Sequence, residues 1–227
     1  MIDLIIVRHG ETDWNRIRRL QGHTDIALNA TGIEQAIRLE AALAGEPIAA
    51  LHSSDLGRAL ATAMPVATAL GLPIVEDALL RERNYGIFEG RTFPEILERF
   101  PVEAEHLRLR DASYTIPGGE SQEKFFRRVV DAVSRIATDE ERVAAASDVA
   151  TKVLIVTHGG VLDMLYRAAF DLALDAQRVC EIPNGVINRL TYDRGRFAVV
   201  AWAEETYPTA TGASGPGAAS GSTNTVA

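Results

Sequence analysis

The chain holds a single cysteine in 227 residues, so no internal disulfide can form and nothing requires an oxidising compartment. Long apolar runs are missing as well. Leu4–Val7 is far shorter than a signal-peptide core and is followed at once by Arg8. The most apolar later stretch, near residues 143–174, is broken by Asp148, Lys152, His158, Asp163 and Arg167 and so cannot span a bilayer. Positive charge is in deficit: 23 basic against 31 acidic side chains give a net charge of −8. That balance argues against nucleic acid or an anionic membrane as a partner. Lysine is scarce, only Lys124 and Lys152 beside 21 arginines, and no solenoid-type repeat is present. A soluble, cytoplasmic protein is the expectation. Net acidity leaves a local basic pocket open.

What the chain does have is 47% hydrophobic residues, within the globular range, and enough length to bury a substantial core. Short β-branched runs alternate with helical patterns. Asp3–Val7 predicts a buried strand. Thr31-Gly32-Ile33-Glu34 has capping-box spacing and predicts the start of a helix that Gly45 ends. Ile48–Leu51 predicts a second strand, Ser53-Ser54-Asp55 the cap of a helix over Leu56–Leu70, and Leu72–Val75 a third strand. Residues 92–116 read as irregular helix outside the central sheet. Between Ser121, a candidate cap, and Ala137, the residues Phe125, Val129, Val133 and Ile136 recur at helical spacing. Lys152–Thr157 is the clearest later strand. A helix over 160–173 follows, then a hairpin of Val186–Tyr192 and Phe197–Trp202 around Asp193-Arg194-Gly195. Strands separated by helices predict an α/β fold, three-layer α/β/α with a mostly parallel central sheet. Residues 1–207 are expected to form one domain with a lid or insert at about 91–117. Residues 208–227, uncharged and rich in Gly, Ala, Ser and Thr, read as a flexible tail.

Two segments resemble each other: Leu4-Ile5-Ile6-Val7-Arg8-His9-Gly10 and Val153-Leu154-Ile155-Val156-Thr157-His158-Gly159. Ligands of open α/β sheets gather beyond the carboxyl ends of strands. If these two strands are parallel neighbours, His9 and His158 reach one crevice. The alternative is that each histidine merely ends a strand against water. Two histidines also suggest a metal, but Arg8 adjoins the first, and a guanidinium beside a divalent cation is electrostatically wrong. A phosphate suits arginine better, because its planar fork matches tetrahedral oxyanions. Arg58, in the first turn of the helix after Ser53-Ser54-Asp55, would join the helix-terminal amides at an anion site; alone it reads equally well as a surface residue. Phosphoryl transfer needs a nucleophile, cations on the equatorial oxygens and a proton donor for the leaving alcohol. His9 could be the nucleophile, Arg8 and Arg58 the clamp, and His158, potentially positive, a further donor. Glu82, shortly after the third strand, could supply the proton; its other reading is a surface partner of Arg81 or Arg83.

Arg8-His9-Gly10-Glu11-Thr12 with Asn15 resembles the signature of the histidine phosphatase superfamily, the phosphoglycerate mutase-like branch. The match continues in order through Leu28-Asn29-Ala30-Thr31-Gly32, Ser53-Ser54-Asp55-Leu56-Gly57-Arg58-Ala59 and Leu80-Arg81-Glu82-Arg83-Asn84-Tyr85-Gly86 with Glu89-Gly90. Pro117-Gly118-Gly119-Glu120-Ser121 and Thr157-His158-Gly159-Gly160 complete it. The resemblance covers roughly residues 3–202. It implies the family's fold, phosphorylation of His9, a phosphoryl pocket of Arg8, Arg58 and His158, and Glu82 as acid and then base. It also implies supporting contacts from Asn15 and the Gly159 backbone, substrate contacts from Thr12 and Tyr85, and a pocket wall at Gln21-Gly22. No metal or organic cofactor is implied.

Dedicated mutases of this family carry a longer basic lid, with a Lys and an adjacent Arg pair that grip the substrate carboxylate. Here Phe93 stands at about the place of that Lys, Leu109 separates Arg108 from Arg110, and the segment between Gly90 and Pro117 is short. These departures favour hydrolysis of a small phosphorylated metabolite. Phosphoglycerate mutation, primed by 2,3-bisphosphoglycerate, is the alternative. Arg91, Arg99, Arg108 and Arg110 are candidates for the entrance. A third class, a non-catalytic phosphate-binding module, would replace His9 or Glu82, and both are present. The terminal hairpin could offer an edge strand to a homodimer.

Overall fold

A computed structural model describes residues 1–147 and 152–206; the segment 208–227, read above as a tail, lies outside the described residues. The uninterrupted apolar run near the N-terminus forms β1 (Ile2–Arg8). Its alternate residues point to opposite faces, Leu4 and Ile6 into one core, Ile5 and Val7 into another. A single helical turn, α1 (Asp13–Arg16), precedes α2 (Ala30–Leu43), β2 (Ile48–Ser53), α3 (Gly57–Leu70) and β3 (Ile74–Glu76). Two 3₁₀ turns (Ala78–Leu80 and Gly86–Phe88) lead to α4 (Phe93–Arg99), α5 (Pro101–Arg108) and the long α6 (Gln122–Ser147). Then come β4 (Lys152–Thr157), α7 (Gly159–Phe170) and the hairpin β5 (Ile187–Asp193) with β6 (Arg196–Glu204).

The six strands form one sheet in the order β3-β2-β4-β1-β5-β6. The first four are mutually parallel, and β5 and β6 add an antiparallel margin. One face is covered by Phe125, Val129, Val133 and Ile136 of α6 and Val161, Leu162 and Leu165 of α7. The other is covered by Leu39 and Leu43 of α2 and Ala59, Ala63 and Val66 of α3. The architecture is therefore the expected three-layer α/β/α. The insert has a small core of its own, Phe88, Ile96, Ala104 and Ile116, set apart from the sheet.

Several local expectations are corrected by contacts distant in sequence. Asn29, not Thr31, caps α2: its side chain accepts from the Gly32 amide at 2.9 Å while Glu11 holds its own amide groups. None of Ser53, Ser54 or Asp55 occupies the N-cap position of α3, which belongs to Leu56 and has no side-chain cap bond. Its first amide, Gly57, is taken by Asp25 Oδ2 at 2.8 Å, from another loop. Strand β3 begins at Ile74, because the Leu72 amide is committed to the Ala67 carbonyl, closing the left-handed turn at Gly71. Ser121 does cap α6, accepting from the Lys124 amide at 3.1 Å. That helix continues past Ala137 to Ser147 on a charged segment where the apolar period stops. The hairpin turns at Arg194 and Gly195, both left-handed (φ 47° and 84°), the pairing that matches strand twist.

Candidate active site

Arg8 at the end of β1 lies in parallel register with Thr157 at the end of β4. The next residues, His9 and His158, therefore leave the sheet side by side, ring centroids 5.1 Å apart and inclined at 61°. Both are buried. The His9 amide donates to the Thr157 carbonyl at 2.8 Å, the Gly10 amide donates to Thr62 Oγ1 at 2.9 Å, and Asn184 Nδ2 donates to the His9 carbonyl at 2.8 Å. Gly10 must be glycine: a Cβ there would sit 2.5 Å from the Gly32 carbonyl oxygen.

His9 Nδ1 lies 2.7 Å from the Gly10 carbonyl oxygen. A carbonyl can only accept, so Nδ1 carries the proton and Nε2 keeps its lone pair. Burial, and then the cations Arg8 and Arg58, push the His9 pKa well below its ordinary value. The ring is a neutral imidazole with a fixed tautomer, the form a nucleophile requires. His158 lies with Nε2 2.8 Å from Ser54 Oγ, while its buried Nδ1 finds no partner among the described residues. Burial, Arg58, His9 and Arg8 push its pKa well down too. His158 is thus neutral in the free site, not the positive group the sequence suggested.

Arg58 is fully buried on the first turn of α3. It donates from Nη1 to the Thr24 carbonyl at 2.9 Å and from Nη2 to the Gly22 carbonyl at 2.8 Å. Arg8 donates from Nη1 to the Ile182 carbonyl at 2.7 Å. The Nε of each is buried without a partner among the described residues. Burial lowers the pKa of both, yet a guanidinium stays charged under any physiological condition. Glu82 stands across the cavity with Oε1 accepting from the Arg83 amide at 2.8 Å and Oε2 from the Gly160 amide at 2.9 Å. Its surface-partner reading is replaced by these bonds; Arg81 pairs with Asp55 instead.

Arg8, His9, Arg58 and Glu82 border a cavity of about 540 Å³, which Asn15, Gln21, Gly22, Tyr85 and Gly159 also line, while His158 lies buried directly behind His9 and is not itself part of the lining. Tyr85 is desolvated there, which raises its hydroxyl pKa to about 12. Asn15 Oδ1 is bound by the Thr12 amide, the Thr12 hydroxyl and Asn184. Thr12 itself is completely buried as the cap of α1 and does not line the cavity, so it is corrected from a substrate contact to a support for Asn15. The lid arginines are elsewhere. Arg91 and Arg99 border a separate hollow with Glu95 and Glu98, Arg110 lines another beside His106, and exposed Arg108 is paired with Glu105. The arginines at the mouth are Arg18, Arg19 and Arg178, which no motif marked.

Other unmarked residues hold the walls. Glu89 accepts from the amides of His23, Thr24 and Tyr85, and so fixes the loop whose Gly22 and Thr24 carbonyls orient Arg58. Arg128 on α6 donates to the carbonyls of Leu79, Arg81 and Glu82 and to Glu120, bracing the segment that presents the Glu82 carboxyl. The Gly-Gly motif at 118–119 is architectural: a Cβ on Gly119 would lie 2.5 Å from the Asn84 carbonyl oxygen. Among the described residues no group of three His, Cys, Asp or Glu could hold a metal ion, and no helix is long and apolar enough to cross a membrane.

Known proteins resemble this chain over most of its length. The family model described as histidine phosphatase superfamily (branch 1) matches residues 4–205. Phosphoglycerate mutase-like protein 4 of Arabidopsis thaliana is 34% identical over 215 residues, 92% of this chain and 88% of the relative. The solved structure of YhfR from Bacillus stearothermophilus superposes with a TM-score of 0.80 at 33% identity, covering 90% of this chain and 98% of that one. A mycobacterial glucosyl-3-phosphoglycerate phosphatase, solved with VO3, superposes at 0.77 with 28% identity, covering 90% and 100%.

Proposed function

The chain belongs to the histidine phosphatase superfamily, and on that premise we propose that it hydrolyses small phosphomonoesters through a phosphohistidine on His9. The observation that carries the reading is the neutral His9 ring, its Nε2 lone pair free, in one cavity with the guanidiniums of Arg8 and Arg58. That lone pair attacks phosphorus, forming the N–P bond as the ester P–O bond breaks. Glu82 passes its proton to the departing alkoxide. Arg8, Arg58 and the ring of His158 hold the three equatorial oxygens, where charge is concentrated in the transition state. In the second half Glu82, now a carboxylate, takes a proton from water, whose oxygen attacks phosphorus. Phosphate leaves and His9 returns to its neutral form. Every proton moves between groups present in the cavity, so we propose that the reaction needs neither metal nor organic cofactor.

Water as acceptor, in place of a second alcohol, is supported by the placement of the lid arginines: Arg108 is held by Glu105, and Arg110 faces a different hollow. The test is a brief incubation with ³²P-labelled phosphomonoester followed by an alkaline quench. Label should be trapped on His9 and absent from His9→Ala. Label on another residue would overturn the assignment. Turnover of 3-phosphoglycerate with 2,3-bisphosphoglycerate should release phosphate faster than it forms the isomer; the reverse would establish the mutase.

A further inference from the structure

Five arginines border the cavity against one carboxylate, Glu82. A single phosphoryl group does not need five. Arg8 and Arg58 lie deep and are oriented toward it by backbone carbonyls. Arg19 is committed at the mouth to the Gly90 carbonyl and to Glu95. Arg178 is different. Its Nε meets Asp163 Oδ1 at 3.2 Å, and its side chain is 47% exposed at the cavity wall. That contact engages Nε, and the residue itself lines the cavity.

The seat of Arg178 is built from beneath. Asp163 lies buried on α7, with its second oxygen 3.3 Å from Arg167 Nε. Arg167, also buried, donates to the Ala173 and Ala176 carbonyls and so ties down the segment that leads to Arg178. A buried aspartate shared by two arginines neutralises one cation and positions the other. Arg178 is the outer one, and it is electrostatically coupled to Glu82 and Tyr85. The leaving oxygen must lie against Glu82. Whatever the alcohol carries beyond that oxygen therefore extends along the wall where Tyr85 and Arg178 stand.

We propose that Arg178, held by Asp163, is a specificity-determining residue that binds a second anionic group, carboxylate or phosphate, on the alcohol portion of the substrate. The inference rests on the phosphatase reading for its catalytic consequence, but it can be measured by binding alone. Esters that carry a second anionic group should be preferred over esters whose only anionic group is the phosphate. One charge-assisted hydrogen-bonded contact corresponds to a preference of about tenfold to a hundredfold.

The experiment measures kcat/KM for three probes: glycerol 3-phosphate, 3-phosphoglycerate and propane-1,3-diol bisphosphate. They share a primary phosphate ester and differ in what else the alcohol carries. The wild-type enzyme should favour one or both of the latter two over glycerol 3-phosphate, and which one identifies the second anion. In Arg178→Gln that ratio should fall toward one, and Arg178→Lys, which keeps charge without the planar fork, should fall between. Calorimetric titration of the same three probes into His9→Ala, with and without Arg178→Gln, reads the same ratio without turnover. A ratio near one in the wild type, or a ratio that survives Arg178→Gln, would overturn the proposal. Preference in binding without any hydrolysis would instead refute the phosphatase reading and leave the Arg178 subsite standing.

Discussion

Gly160 offers a way to displace Glu82, the proposed proton donor, without changing it. A Cβ on Gly160 would lie 2.0 Å from Glu82 Oε1, where ordinary contact begins at 3.4 Å, so the oxygen must retreat by 3.4 − 2.0 = 1.4 Å. The backbone cannot follow, because the Glu82 carbonyl is held by His23 Nε2 at 3.0 Å and Arg128 Nη2 at 3.2 Å. The side chain must rotate, and the 2.9 Å bond from the Gly160 amide to Oε2 is lost with it. General acid catalysis is worth about 10²–10⁴-fold, and a misplacement of about 1 Å can forfeit roughly 10²-fold. Gly160→Ala should therefore lower kcat/KM for glycerol 3-phosphate by about 10²-fold. Aryl phosphates leave with little help from an acid, so 4-nitrophenyl phosphate should lose no more than about tenfold. Folding is only mildly affected. Crowding of Phe125, whose ring carbon would be 3.0 Å from the new methyl, costs about 1–3 kcal/mol, and the helix gains up to about 1 kcal/mol from alanine. A melting temperature lowered by a few degrees is expected. Equal slowing of alkyl and aryl esters would refute the assignment of Glu82 as the acid, and so would an unaffected alkyl ester. Glu82→Gln supplies the benchmark slope against leaving-group pKa.

The remaining predictions concern the electrostatics of the pocket and its supports. His9 and His158 are both held below the ordinary histidine value, mainly by burial. The unfolded chain takes up protons on them near pH 6.5, a common reference value of about 6.5, and the folded free site does not. Stability should therefore be full above that pH and fall as the pH drops through it toward the lowered folded values. The fall in melting temperature between about pH 6.5 and 5 should be shallower in His9→Gln; an identical slope would contradict the shift. Glu89→Ala frees the loop that aims Arg58, so KM for any phosphomonoester should rise by about tenfold, the effect of losing one charge-assisted contact. A variant with a normal KM would show that the loop holds itself. Treatment with EDTA should leave phosphatase activity intact, and loss restored by a divalent cation would sink the metal-free mechanism.

The central sheet was legible because its signal is local. The run before Arg8 and the run before His158 each read as a strand buried on both faces, and in the sheet they pair in parallel. The gathering of the site residues was legible for a related reason: His9, His158, Arg58 and Glu82 sit at or beyond strand ends, where an α/β sheet gathers its ligands. What could not be read depended on contacts between segments distant in sequence. The partner of the Gly57 amide is Asp25, and nothing near α3 indicates it. Arg178 reaches the cavity only because Asp163 and Arg167 pin the segment after α7. The lid arginines failed for a compositional reason. With 21 arginines in the chain, residue type says little, and only the placement of α4 and α5 separates Arg91 and Arg99 from the cavity.

The identity of an arginine's partner separates the arginines whose field is cancelled from the two deep in the pocket; Arg178 stands apart from both, because its Asp163 is shared with Arg167. Arg81 sits on Asp55, Arg128 on Glu120, Arg167 on Asp163 and Arg189 on Glu46, so each positive charge is met by a carboxylate and its field is largely cancelled nearby. Arg8 and Arg58 are positioned by carbonyls instead, with Asp25 no closer than 3.6 Å to Arg58. A carbonyl dipole fixes the orientation of the fork without supplying a full counter-charge. The positive potential at His9 Nε2 therefore survives in a chain whose total charge is −8. That potential has two effects from one cause: it adds to burial in disfavouring a proton on His9, keeping the Nε2 lone pair free, and it favours a dianionic phosphate at the same point. Replacing a carbonyl anchor by a carboxylate would weaken both effects, leaving burial alone to hold the proton off His9, which is why net charge alone could not describe this site.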